Sequence, residues 1–134
     1  MTYDEFIKEY YEACKEGISC LLKCRFDGLL SFEEDLELNI EKINKRDVFW
    51  YGMHLVINGT DPDCIKLVLS NIIDQENDVY TRKLMNLKKE AVISILYGEN
   101  PWVFYIRLNS YTDLPLDDKN IKKLWGKEFV PLFN

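Results

Sequence analysis

Apolar residues recur at Tyr3, Phe6, Ile7, Tyr10, Tyr11 and Cys14 and continue through Ile18, Leu21 and Leu22. This is the three-and-four spacing of one helix face. Thr2 followed by Glu5 has the form of a capping box, which satisfies two orphan amides at a helix start. Gly17 interrupts the rhythm, at a cost of about 1 kcal/mol relative to alanine, and Gly28 is expected to end or bend the helix. A second helix is predicted from the stripe Leu29, Phe32, Leu36, Ile40 and Ile43, with Glu33, Glu34, Glu37 and Glu41 turned mostly to water. Ser31 and Glu34 allow another capping box there, which would move the start to Phe32. Its acidic first turn suits the positive end of the helix dipole. A third, largely apolar helix covers "DVFWYGMHLVIN", with Asp47 as N-cap and Gly52 permitting a close helix crossing.

Strong punctuation follows. "NGTDP" places Gly59 where a helix end wants a left-handed residue, Asp61 or Thr60 at the next N-cap and Pro62 at a first helical position. "YGENP" repeats the device with Gly98, Asn100 and Pro101. Between them, Pro62 to Tyr97 reads either as one long helix or as two broken near "DQENDV". Ile65, Leu67, Val68, Ile72, Leu84, Leu87, Val92, Ile93 and Leu96 are its expected interior positions. A short helix from Pro101 to Tyr111 packs Val103, Phe104, Ile106 and Leu108. No segment alternates as a half-buried strand does, so the fold class is all-α, a compact single-domain bundle of about five to six helices. Residues 1–111 form the helical domain and 112–134 a C-terminal extension with a short amphipathic helix. The extension is expected to pack back on the domain, and its Trp125, Phe129 and Phe133 are candidate partner-binding residues if it does not.

Composition narrows the function. The chain has 134 residues, 47% hydrophobic and 30% charged, an ordinary globular balance rather than a disordered one. A net charge of −6 with no long Lys/Arg block argues against nucleic acid as a partner. No apolar run reaches the roughly 18 residues of a membrane span, and the acidic start "MTYDEFIKEYYEACKEG" is not a signal peptide. A cytoplasmic chain is expected.

Four cysteines invite a sharper reading. Cys20 and Cys24 lie four residues apart on one helix face, a spacing that could hold a metal. There is no CxxC pair, however, and His54 is the only histidine, so a four-ligand zinc site would need an unusual assembly. Together with Cys14 and Cys64 they are expected to serve as small core hydrophobes. Glycine-rich phosphate loops and nucleophile elbows are missing. His54 sits in an apolar helix, and Asp61 and Asp63 flank a proline as caps. No catalytic role and no cofactor are expected.

Three stretches, "CRFDGLLSFEEDLE", "YGMHLVINGTDPD" and "KEAVISILYGENPWVFYIRLNSY", together resemble the cytoplasmic part of the flagellar stator subunit MotA. The first is similar to the family's Arg-x-x-Gly-Leu-Leu segment, the second to its cytoplasmic loop and the third to its C-terminal tail. The order matches, over roughly residues 10 to 111. In that family membrane-spanning helices precede the loop and separate it from the tail. Here the two parts join directly near "DQENDVYTRK", so ion conduction by this chain alone is not expected, and because stator subunits assemble through their membrane helices, the resemblance implies a monomer or weak dimer. The resemblance implies a non-catalytic interaction module that contacts the rotor protein FliG, or an intact stator subunit, through exposed charges. The family's two rotor-facing charges match Arg25 and Glu33. The same frame could instead serve an unrelated cytoplasmic partner through the apolar tail.

Overall fold

The computed structural model describes residues 1–116 and Lys119. Among them the chain is all-α, with seven α-helices and one short 3-10 turn packed together and no strand. Helix α1 runs Tyr3–Asp27, a 3-10 turn Leu29–Phe32, α2 Glu33–Leu38, α3 Ile40–Asn44, α4 Val48–Ile57, α5 Pro62–Asp74, α6 Val79–Leu96 and α7 Pro101–Asn109. Helix α6 is the centre of the packing and touches α1, α4, α5 and α7. Helices α2 and α3 lie against α4, and the 3-10 turn joins α1 to α4.

Helix α1 runs unbroken through Gly17, as the continuing rhythm requires, despite the propensity cost of a glycine there. The glycine is needed for packing. A Cβ at this position would lie 2.6 Å from Phe104 Cζ of α7. The expected rhythm buries Phe6, Tyr10, Cys14, Ile18 and Leu21. Thr2 Oγ1 accepts from the Glu5 amide at 3.1 Å, and Gly28, at φ +86, ends the helix.

The predicted second helix is not one helix. It divides into the 3-10 turn, α2 and α3, which raises the helix count above the expected five to six. No Ser31/Glu34 capping box forms, because the Ser31 hydroxyl donates to the Gly28 carbonyl at 2.6 Å. Asn39 separates α2 from α3 at φ −119, ψ +27, with its side-chain amide donating to the Asp35 carbonyl at 2.8 Å. A short amide side chain competing for backbone groups is a known helix breaker. Of the expected stripe only Phe32, Leu36 and Ile43 are buried, whereas Leu29 and Ile40 are exposed. Phe32 stacks on Trp50 of α4, centroids 5.5 Å apart and planes 9° apart, which pins the turn to the core. Arg46 closes α3 in the left-handed region at φ +59.

From Asp47 onward the expected punctuation is present. Gly59 and Gly98 have positive φ, Pro62 and Pro101 open α5 and α7, and the Asn100 side chain accepts from the Val103 amide at 3.0 Å. Asp61 stands at the α5 N-cap by position, without a side-chain capping bond. Residues 62–97 are two helices, with Asp78 capping the second through the Thr81 amide at 2.9 Å. Leu67, expected inside, is exposed. After α7 the chain turns back, with Leu114 packed on the core and Tyr3 donating to Asp113 at 2.7 Å. Trp125, Phe129 and Phe133 lie outside the described residues.

Asp47 has two tasks. Its Oδ1 accepts from the Phe49 and Trp50 amides, each at 3.1 Å, and its Oδ2 accepts from Lys88 of α6 at 3.1 Å. Loss of an N-cap costs about 1 kcal/mol, and a partly exposed ion pair less than that. Asp47→Ala is expected to lower the unfolding free energy by about 1–2 kcal/mol in urea titrations. Asp47→Asn keeps a capping oxygen and is expected to lose less. Equal losses for the two variants would assign the effect to the ion pair instead.

Candidate interaction surface

The last turn of α1 positions Arg25 beside the turn between α6 and α7. Its Nη1 donates to the Gly98 and Glu99 carbonyls, each at 3.1 Å. These carbonyls belong to the turn between α6 and α7. Asp27, two residues away, forms no ion pair with Arg25. A guanidinium carries five N–H donors in a planar fork. With Nη1 occupied by two carbonyls, the Nε/Nη2 edge has no hydrogen-bond partner among the described residues. That edge is the one that meets a carboxylate through two parallel hydrogen bonds.

Glu33 opens α2 and is exposed, and its side chain has no hydrogen bond or ion pair among the described residues. The other acids of this stretch differ in use. Asp35 accepts from Lys23 at 2.7 Å and so ties α2 to α1, whereas Glu34 and Glu37 are exposed. Arg25 and Glu33 do not share a pocket. Arg25 borders a cavity of about 250 Å³ with Cys24, Leu29, Leu96 and Tyr97. Glu33 borders a depression of about 360 Å³ with Leu36, Ile40, His54 and Asn58.

The stretch that carries both residues exposes many apolar side chains. Of the twelve large hydrophobic residues exposed among the described residues, five (Phe26, Leu29, Leu30, Leu38 and Ile40) fall within residues 26–40. Phe26 is 79% exposed and Leu38 83%. Single exposed apolar residues need no explanation, but here they are concentrated in one stretch of the chain. Sequence reasoning placed Leu29 and Ile40 in the core stripe and passed over Phe26, Leu30 and Leu38. Leu38 does carry a signal, because it follows the buried Leu36 by two residues, off the helical rhythm, whereas Phe26 follows Leu22 by four and carries none.

Elsewhere the chemistry is structural. His54 stacks on Tyr51 and its Nε2 lies 3.1 Å from the Asn58 amide nitrogen. A cleft of about 440 Å³ sets Glu9, Glu12 and Glu16 of α1 against Lys42, Lys45 and Lys88. Burial raises the Glu16 pKa, and Lys42 and Lys88 oppose the shift. Arg107 joins α7 to Glu90 at 2.8 Å and to Glu99 at 2.7 Å. Cys14 and Cys20 are core residues as expected, but Cys24 is half-buried and Cys64 is exposed. No group of three or more His, Cys, Asp or Glu able to hold a metal occurs among the described residues. No helix among them is long and apolar enough to cross a membrane.

The fold is thus an all-α bundle that exposes five large apolar residues within positions 26–40, the stretch that follows the half-engaged Arg25 and contains Glu33. No protein-family model, curated protein or solved structure matches the chain.

Proposed function

We propose that this chain is a non-catalytic protein-interaction module whose working surface is the edge from Arg25 to Ile40. Its partner on this reading is a component of the flagellar rotor or stator, as the resemblance of three of its segments to the MotA cytoplasmic part implies. Arg25 carries the reading. Two carbonyls hold its guanidinium in place and leave its carboxylate-binding edge open, so little side-chain entropy remains to be lost on docking. Exposed residues Phe26, Leu29 and Leu30 adjoin it in the chain and supply apolar contact. Glu33 adds a charge of opposite sign. Such rim charges steer encounter and register more than they add static affinity, which suits contacts that must form and release repeatedly.

A pull-down with the C-terminal domain of the rotor protein FliG tests the reading. Capture is expected at low salt, weaker at high salt, and lost on reversal of both charges by Arg25→Glu and Glu33→Lys. Absence of capture at low salt, or capture indifferent to the double reversal, overturns the rotor assignment.

A further inference from the structure

Cys20 and Cys24 face each other on successive turns of α1, with their sulfurs 4.0 Å apart. We propose that they form a two-sulfur site for a soft monovalent metal ion, with Cu(I) as the fitting species. Two thiols at this spacing invite a disulfide, but helix geometry opposes one. Residues four apart on a helix hold their Cβ atoms about 5–6 Å apart, whereas a disulfide needs about 3.5–4.5 Å. Closing the bond would distort the middle of the longest helix in the described chain. A bridging ion has no such requirement. Metal–thiolate bonds are about 2.3 Å long, so a linear S–metal–S bridge spans about 4.6 Å, a small rotamer adjustment from the observed separation.

The surroundings select the ion. Zinc in structural sites takes four nitrogen or sulfur ligands, and the described residues offer no cluster of three. Thiolates prefer soft ions such as Cu(I), for which two sulfurs complete a linear shell. Access runs through the cavity of about 250 Å³ that Cys24 lines, where Leu21, Leu29, Ile95 and Leu96 are joined by Arg25, Tyr97 and Gly98. Cys20 is 3% exposed. The apolar side chains among these walls are poor ligands for hard ions.

Binding releases both thiol protons: two Cys–SH groups and one Cu(I) give a bis-thiolate complex of charge −1 and two protons in solution.

The test uses full-length, reduced protein in a Cys64→Ser background, which removes the exposed thiol that could bridge two molecules. It is titrated anaerobically against a coloured Cu(I) chelator. One Cu(I) per chain is expected to leave the chelator, with X-ray absorption showing two sulfur neighbours. Cys24→Ser, at a half-buried position where folding is checked by circular dichroism, is expected to weaken binding beyond the roughly 10–100-fold typical of losing an outer-shell group. Cys14→Ser is expected to leave binding unchanged. A Cu(I) affinity indifferent to Cys24→Ser in folded protein, or no transfer from the chelator, overturns the proposal.

Discussion

Phe104→Ala is expected to destabilise the fold by about 3–5 kcal/mol, the usual cost of emptying a buried phenylalanine site. Phe104 is fully buried in α7. Its ring reaches across to α1, where the space of a missing Gly17 side chain admits the Cζ edge. A native domain holds only about 5–15 kcal/mol in total, so the variant is expected to unfold at least about 10 °C lower by calorimetry. A second substitution makes the result specific to this contact. In the native background Gly17→Ala places a Cβ 2.6 Å from Phe104 Cζ, and overpacking of this kind costs about 1–3 kcal/mol. In the Phe104→Ala background the clash is gone, and the alanine instead gains up to about 1 kcal/mol of helix propensity. The same substitution should therefore change sign between backgrounds. Additive effects would show that α1 and α7 do not meet at this point.

Gly17 illustrates what the sequence could and could not convey. Read along the chain, it was a weakness in a helix, because local propensity registers the missing side chain as lost stability. Its partner lies 87 residues later, and no local pattern reveals that the space is filled. The helix boundaries at Gly59–Pro62 and Gly98–Pro101 were legible for the opposite reason. Left-handed glycines and N-terminal prolines act through their own backbone, so their effect is written where they stand. The division of residues 29–44 into three short pieces was not legible. Its apolar stripe was real, as the burial of Phe32, Leu36 and Ile43 attests. Asn39 nevertheless broke the helix by a side-chain bond that competes with only one turn of backbone.

The candidate surface was half legible. Arg25 and Glu33 stood out as charges flanking Gly-Leu-Leu, and both are exposed. The anchoring of Arg25 was hidden, since its two carbonyl partners come from residues 73 and 74 positions away. The apolar edge was misread because periodicity says which residues share a face and not whether another element covers that face. Leu29 and Ile40 obey the rhythm and nevertheless remain exposed. An uncovered face is where the chain has surface to offer a partner.

Gly52→Val is expected to cost about 2–3 kcal/mol, the upper part of the overpacking range, although valine is a better helix former than glycine. Gly52 lies at the crossing of α4 over α5 and α6. A Cβ there would sit 2.7 Å from Val92 Cγ2, 3.1 Å from Val92 Cγ1 and 3.2 Å from Leu69 Cδ1. Neither neighbour can withdraw easily. Both are fully buried, and a β-branched side chain on a helix is confined largely to one χ1 rotamer. Helix propensity alone ranks the three variants alanine, valine, glycine, and steric conflict at the crossing ranks them glycine, alanine, valine. Urea midpoints for native protein, Gly52→Ala and Gly52→Val therefore decide which effect governs. The expected order is the steric one, with Gly52→Ala below native because overpacking by about 1–3 kcal/mol outweighs a propensity gain of at most about 1 kcal/mol. Removing the obstructing methyls by Val92→Ala is expected to restore most of what Gly52→Ala loses, through coupling of the kind seen between residues in contact. A Gly52→Ala protein more stable than native would mean that the helices do not approach closely at this position, and the central place of α6 in the packing would have to be redrawn.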